Sequence, residues 1–206
     1  MRYFGILFFC VFTALGQQKS TKEGLSIELM GANEVLNQNM LSVLKIKDKR
    51  LQKLVVHLSV NSLEGFKADI SAFSLVDTIN KMRYPVVDYL GYKTFIGSTG
   101  EKNAYLTKQI VNKKGKVVNT GEVKYDTLIK NYFDIFSIKG YFDFNFPINT
   151  SYSKYNESQV IYFGKTRFDK FTADLTFVIP KDLKEEYYEL YYKNEKLFAL
   201  SFKPRN

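Results

Sequence analysis

Apolar side chains recur at every second position in segment after segment of this chain, and that period restricts the fold more than any other property. In residues 53–60, Leu54, Val56, Leu58 and Val60 share one face of an extended strand, while Lys53, His57 and Ser59 lie on the other. Residues 69–77 read as a short strand, 78–81 as a turn and 82–87 as the return. Pro85 has no N–H to give to a ladder, so the return strand must lie at an edge or stop there. The alternation is strongest in residues 137–146, where Ile138, Gly140, Phe142, Phe144 and Phe146 face one way and Lys139, Tyr141, Asp143 and Asn145 the other. That pattern predicts a long amphipathic strand with an aromatic face. Further strands are expected at 158–163, 172–179, 187–192 and 197–202, with a turn at 193–196 between the last two. Residues 180–186 read as a turn or a single helical turn, and 125–132 fit a strand or a short helix equally well. Many short strands at regular spacing with little helix predict an all-β protein, most simply a β-sandwich.

Within the stretch near 90–150, residues at about 90–130 differ in texture. Gly91, Gly97, Gly100, Gly115 and Gly121 interrupt them, and lysines are dense. Lys113, Lys114, Gly115 and Lys116 read as a hairpin tip between 109–111 and 117–118. The stretch is expected to be a long insertion into a single sandwich domain, because the chain has 206 residues and shows no internal repeat or linker.

The beginning of the chain carries a different signal. Arg2 precedes an uncharged apolar run from Phe4 to Leu15, and Ala14-Leu15-Gly16 places small residues at the −3 and −1 positions of a cut before Gln17. This is the arrangement of a secretory signal peptide, too short to span a bilayer core of roughly 30 Å. The expectation is therefore cleavage of residues 1–16 and export of 17–206 as a soluble periplasmic or extracellular protein. Cys10, the sole cysteine, would leave with the signal. Phe8 and Phe9 before it do not make a lipobox, so no lipid anchor is expected. The exported chain would hold no disulfide and must rely on its core.

A resemblance emerges from three segments: Leu54-Val55-Val56-His57-Leu58-Ser59-Val60-Asn61, then Phe73-Ser74-Leu75-Val76-Asp77, then Lys81-Met82-Arg83-Tyr84. Together with Leu175-Thr176-Phe177-Val178-Ile179-Pro180, Tyr188-Glu189-Leu190-Tyr191-Tyr192 and Ala199-Leu200-Ser201-Phe202, they resemble a family of secreted bacterial immunoglobulin-like domains of unknown function. The resemblance covers roughly 50–90 and 158–203 and consists of core patterns. It implies an immunoglobulin-like sandwich and an exported location, and it transfers no catalytic residue. The chain departs from the family by lacking the lipobox and by the insertion near 90–150.

Residue scarcity excludes whole classes of chemistry. With one His, one Cys and no Trp, neither a multi-histidine metal cage nor a two-histidine mechanism can be built in one copy. No cofactor is called for. Gly164-Lys165-Thr166 imitates the end of a phosphate loop, but Gln159 stands where the first glycine is required, so the nucleotide cradle is missing. His57 would need an orienting carboxylate and a nucleophile to act as a base. Asp143 with Asp88, Asp169 or Asp174 remains a candidate carboxylate pair for glycan hydrolysis.

Charge and aromatics point instead to binding. The formal net charge is +9, and loss of Arg2 with the signal lowers it to +8. The basic residues are mostly Lys, in clusters at Lys45, Lys47, Lys49, Arg50 and Lys53 and at 113–116. Nucleic-acid readers favour Arg, so acidic glycans or glycolipids of an envelope are the better match. A solubilising surface that guards sheet edges explains the same lysines without a partner. Among 15 Tyr and 18 Phe, Tyr187, Tyr188 and Tyr191, beside Tyr152, Tyr155 and Tyr192, are candidates for a binding surface. The sequence thus predicts a non-catalytic exported binding protein for a protein or anionic glycan partner, with Lys113, Lys114, Lys116, Tyr187, Tyr188 and Tyr191 as candidate contacts. A carboxylate-dependent hydrolase and a lipid-binding β-barrel are the alternatives, the last suggested by the Phe-lined segment 138–146.

Overall fold

A computed structural model describes residues 17–35, 44–46, 48–63, 65–93, 104–106, 124–125, 131–144, 149–150, 161–181 and 188–200. The strands come in chain order. The first seven are β1 (Gln17–Ser20), β2 (Leu25–Val35), β3 (Leu44–Lys45), β4 (Leu51–Ser62), β5 (Phe73–Asp77), β6 (Met82–Pro85) and β7 (Asp88–Tyr92). The middle of the chain contributes β8 (Ala104–Leu106), β9 (Lys124–Tyr125), β10 (Phe142–Asp143), β11 (Asn149–Thr150) and β12 (Ile161–Phe163). The long β13 (Lys170–Pro180) and the hairpin of β14 (Tyr188–Tyr192) and β15 (Glu195–Leu200) close it. Among the described residues helix is confined to a 3₁₀ turn at Ile70–Ala72 and to α1 (Tyr132–Ile135).

Two five-stranded sheets make an all-β sandwich. The first runs β1-β2-β4-β13-β7 and the second β10-β6-β5-β14-β15. Their facing sides form one core: Leu54, Val56, Leu58 and Val60 of β4 and Leu175 and Phe177 of β13 meet Phe73, Leu75, Tyr84 and Leu190 of the second sheet. All four β4 residues are at 0% exposure, so the predicted inward face is the face that is buried. Aromatic rings fill the wide places, with Phe73 edge-on to Tyr192 at 4.9 Å and Tyr89 edge-on to Phe163 at 5.6 Å. Gly91 admits the Tyr89 ring, since a Cβ there would lie 3.1 Å from it.

Two predicted elements differ. Residues 70–72 are not strand: the Asp69 carboxylate accepts from the N–H and the hydroxyl of Ser71 and starts a 3₁₀ turn. Asp77 ends β5 by accepting from the N–H groups of Ile79 and Asn80, which fixes the predicted turn, with Lys81 in the left-handed region at φ 55°. As expected from Pro85, β6 stops there.

The largest difference is the predicted strand at 137–146. Of its described residues, 137–144, only Phe142 and Asp143 are strand, paired in parallel with Met82 and Arg83, and Gly140 at φ 86° breaks the run before them. The cause is Arg83, whose side chain is 2% exposed. Its guanidinium pairs with Asp143, donates to the carbonyls of Phe133 and Phe136, and lies 3.8 Å above the Phe133 ring. Gathering these carbonyls folds 131–144 over the outer side of the second sheet instead of leaving it extended. Phe142 is 73% exposed, while Phe144 packs on Tyr84 at 5.1 Å. Over the described residues 138–144, the continuous apolar-lined strand that motivated a lipid-binding barrel is therefore not formed.

Candidate functional site

The outer face of the first sheet is assembled by register. Gly31, His57, Asp174 and Leu90 stand side by side across β2, β4, β13 and β7, and Ser59, Thr172 and Tyr92 form the next row. On β2 the pairing jumps between Leu29, opposite Leu58, and Gly31, opposite His57, so Met30 is an extra, bulged residue. The bulge shifts the phase of the strand: Leu25 and Ile27 point inward before it and Ala32 after it. It leaves Met30 56% exposed and opens space over Gly31, where a Cβ would meet no atom within 4 Å.

The result is a cavity of about 480 Å³ with Met30 and Asn33 on one side, Tyr92 on the other, and His57, Asp174 and Thr172 between them. Its size lies within the range of roughly 300–1,000 Å³ typical of small-ligand sites. His57 Nδ1 stands 2.7 Å from Asp174 Oδ1, with both side chains about one-third exposed. An ionised carboxylate can only accept, so Nδ1 carries the proton and Nε2 is the remaining polar atom of the ring. Burial first and the Asp174 charge second push the Tyr92 hydroxyl up from its ordinary value, which keeps the phenol protonated and able to donate.

Sequence reasoning raised His57 as a base without an orienting carboxylate and Asp174 as one of several loose acids. The fold makes them partners 117 residues apart in sequence. The other acids are spent elsewhere: Asp143 on Arg83, Asp169 on Lys67, and Asp88 on the N–H of Tyr89. Met30, Asn33, Tyr92 and Thr172 were not singled out. The sequence signal for the first of these is Gly31 inside a strand, which marks a bulge.

The residues named as partner contacts separate. Lys113, Lys114, Lys116 and Tyr187 lie outside the described residues, as do the signal segment, Tyr152 and Tyr155. Tyr188 is corrected: it is 1% exposed, with its ring 6.2 Å from that of Tyr84, and it belongs to the core. Tyr191 is half-buried on the outer side of β14, where its hydroxyl donates to Glu189. Burial and the Glu189 charge push that hydroxyl up to about 12. The basic cluster near 45–53 is also reduced. Lys53 is 1% exposed, and Arg50 chelates Asp48, which holds that carboxyl down at about 2.

Among the described residues no group of three or more His, Cys, Asp and Glu is placed to hold a metal ion. No helix among them is long and apolar enough to cross a membrane. No protein-family model, curated relative or solved structure matches the chain.

Proposed function

We propose that this chain is an exported, non-catalytic binding protein of the cell envelope, built on an immunoglobulin-like sandwich, that takes a glycan into the cavity on the outer face of its first sheet. The observation that carries this reading is the composition of that cavity. A tyrosine ring and a methionine wall offer apolar contact, and Asn33, His57, Thr172 and Asp174 offer hydrogen bonds from the floor and rim. A cavity of this size encloses a unit of a chain molecule rather than a protein surface, which needs about 800 Å² from each partner. The net charge, +9 for the full chain and +8 without Arg2, draws acidic envelope polymers toward the protein from a distance. Export rests on the apolar segment 4–15, and the immunoglobulin-like kinship rests on the core patterns of β4, β5, β13 and β14.

The test is calorimetric titration of the purified chain with glycans released from a bacterial envelope. Binding that weakens at least about tenfold in Tyr92→Ala, with the melting temperature held, supports the proposal. Absence of binding to every envelope glycan contradicts it. The His57–Asp174 pair favours a second reading, a glycan hydrolase with His57 as base. Release of new reducing ends, abolished in His57→Ala, would select it.

A further inference from the structure

We infer that the cavity accepts a neutral, hydroxyl-rich sugar ring and rejects sugars that carry a carboxylate; this rests on reading the cavity as a glycan site. The polar atoms it offers are mostly acceptors. Asp174 commits Oδ1 to His57, and its second oxygen can only accept. When the ring is uncharged, the proton that Nδ1 directs at Asp174 leaves Nε2 an acceptor as well, and Nε2 has no partner among the described residues. Asn33 adds one carbonyl oxygen beside its two N–H donors. Thr172 and Tyr92 supply hydroxyls. A ligand that completes this set must bring several donors on a small frame, which is what adjacent sugar hydroxyls do.

Charge sharpens the choice in both directions. A ligand carboxylate would bring a second acceptor-only anion within a few ångströms of Asp174, where partial burial strengthens repulsion. A cationic ligand meets the opposite difficulty. The exported chain would carry a formal charge of +8, the full +9 less Arg2, one Asp174 oxygen is already occupied, and among the described residues Tyr92 is the only Phe or Tyr ring lining the cavity. Cages for quaternary ammonium groups use several rings. A neutral ring avoids both penalties and lays its C–H face against Tyr92 and Met30. Acidic polymers would then be drawn by the lysines but held through their neutral units.

The experiment titrates the purified chain with neutral oligosaccharides built on glucose, galactose, mannose and N-acetylhexosamine, and with the uronic-acid oligomers of matching length. It is run at about 0.15 M salt, where charges beyond roughly 8 Å are screened. The expected result is that at least one neutral oligomer binds about tenfold or more tightly than its uronate counterpart. Asp174→Asn, a substitution at a site about one-third exposed with little risk to folding, should narrow that gap to about threefold or less. Tyr92→Phe, which keeps the ring and removes the hydroxyl, should weaken the neutral ligand while leaving the gap. Uronate binding as tight as the neutral sugar, or a gap that persists in Asp174→Asn, overturns the inference and leaves the glycan site standing. Binding of no sugar in either panel overturns both.

Discussion

The two faces of β4 are built from alternate residues of one strand, and they have opposite fates. Leu54, Val56, Leu58 and Val60 are at 0% exposure between the sheets, a uniform apolar row. The outward row is divided. Lys53 and Val55 are 1% and 7% exposed, close to the second apolar cluster of Leu51, Val87 and Val178, whereas His57 is half-buried at the cavity and Ser59 half-buried beside Thr172 in the next row. A period of two therefore assigns residues to a face but does not say whether that face is wet. The inner row carries stability; the wet end of the outer row is available for recognition.

Substitutions should separate these roles. Leu58→Ala deletes a fully buried side chain directly beneath the cavity, and a loss of about 2–5 kcal/mol is expected in denaturant unfolding. Its size should depend on the void left behind and not on any ligand. Arg83→Met removes the clamp on the outer side of the second sheet. Two carbonyls and Asp143 lose their donor, so about 2–4 kcal/mol should be lost, with faster amide exchange confined to 131–144. Asp174→Asn should cost under about 1 kcal/mol, since His57 and Asp174 are solvent-reached, yet it should alter sugar selection. A stability loss there as large as that of Leu58→Ala would erase the distinction between the two faces.

The smallest effect depends on pH. Burial, outweighing the Ser71 hydrogen bonds, raises the Asp69 carboxyl above its ordinary value of 3.8. The folded state then binds a proton that the unfolded state has released, so stability falls as pH rises from about 4 through the raised value. Asp69→Asn removes the charge and keeps an acceptor for Ser71. The variant should gain on the wild type near neutral pH, and the advantage should vanish below about pH 4. A difference that is flat with pH would show that Asp69 is not ionising in a buried site.

Much of this architecture was legible because burial between two sheets imposes its own period on the sequence. The inward row on β4, the strands at β13 and β14 and the stop at Pro85 could all be read. Residues 137–146 could not, although their alternation was the strongest in the chain. The groups that bend that segment answer to Arg83, more than 50 residues earlier, and periodicity carries no information about such a distant partner. At Asp69 a side chain within hydrogen-bonding reach of its own backbone outweighed a strand pattern. The candidate site failed for a related reason. His57 and Asp174 were each visible as residue types, but their pairing depends on the β4–β13 register, and the space above them on a one-residue bulge at Met30. Tyr188 and Lys53 show the converse, an interface-type residue and a charge that the fold buries.

The central claim is that recognition belongs to the wet end of one sheet face. Its most direct test is a map of backbone and side-chain NMR shifts of the isotopically labelled chain during titration with the tightest-binding neutral oligosaccharide. The largest shifts should fall at Gly31, His57, Tyr92, Thr172 and Asp174, with the His57 ring among them. Shifts centred on Tyr191 and Glu189 of the second sheet, with the His57 ring unmoved, would contradict it.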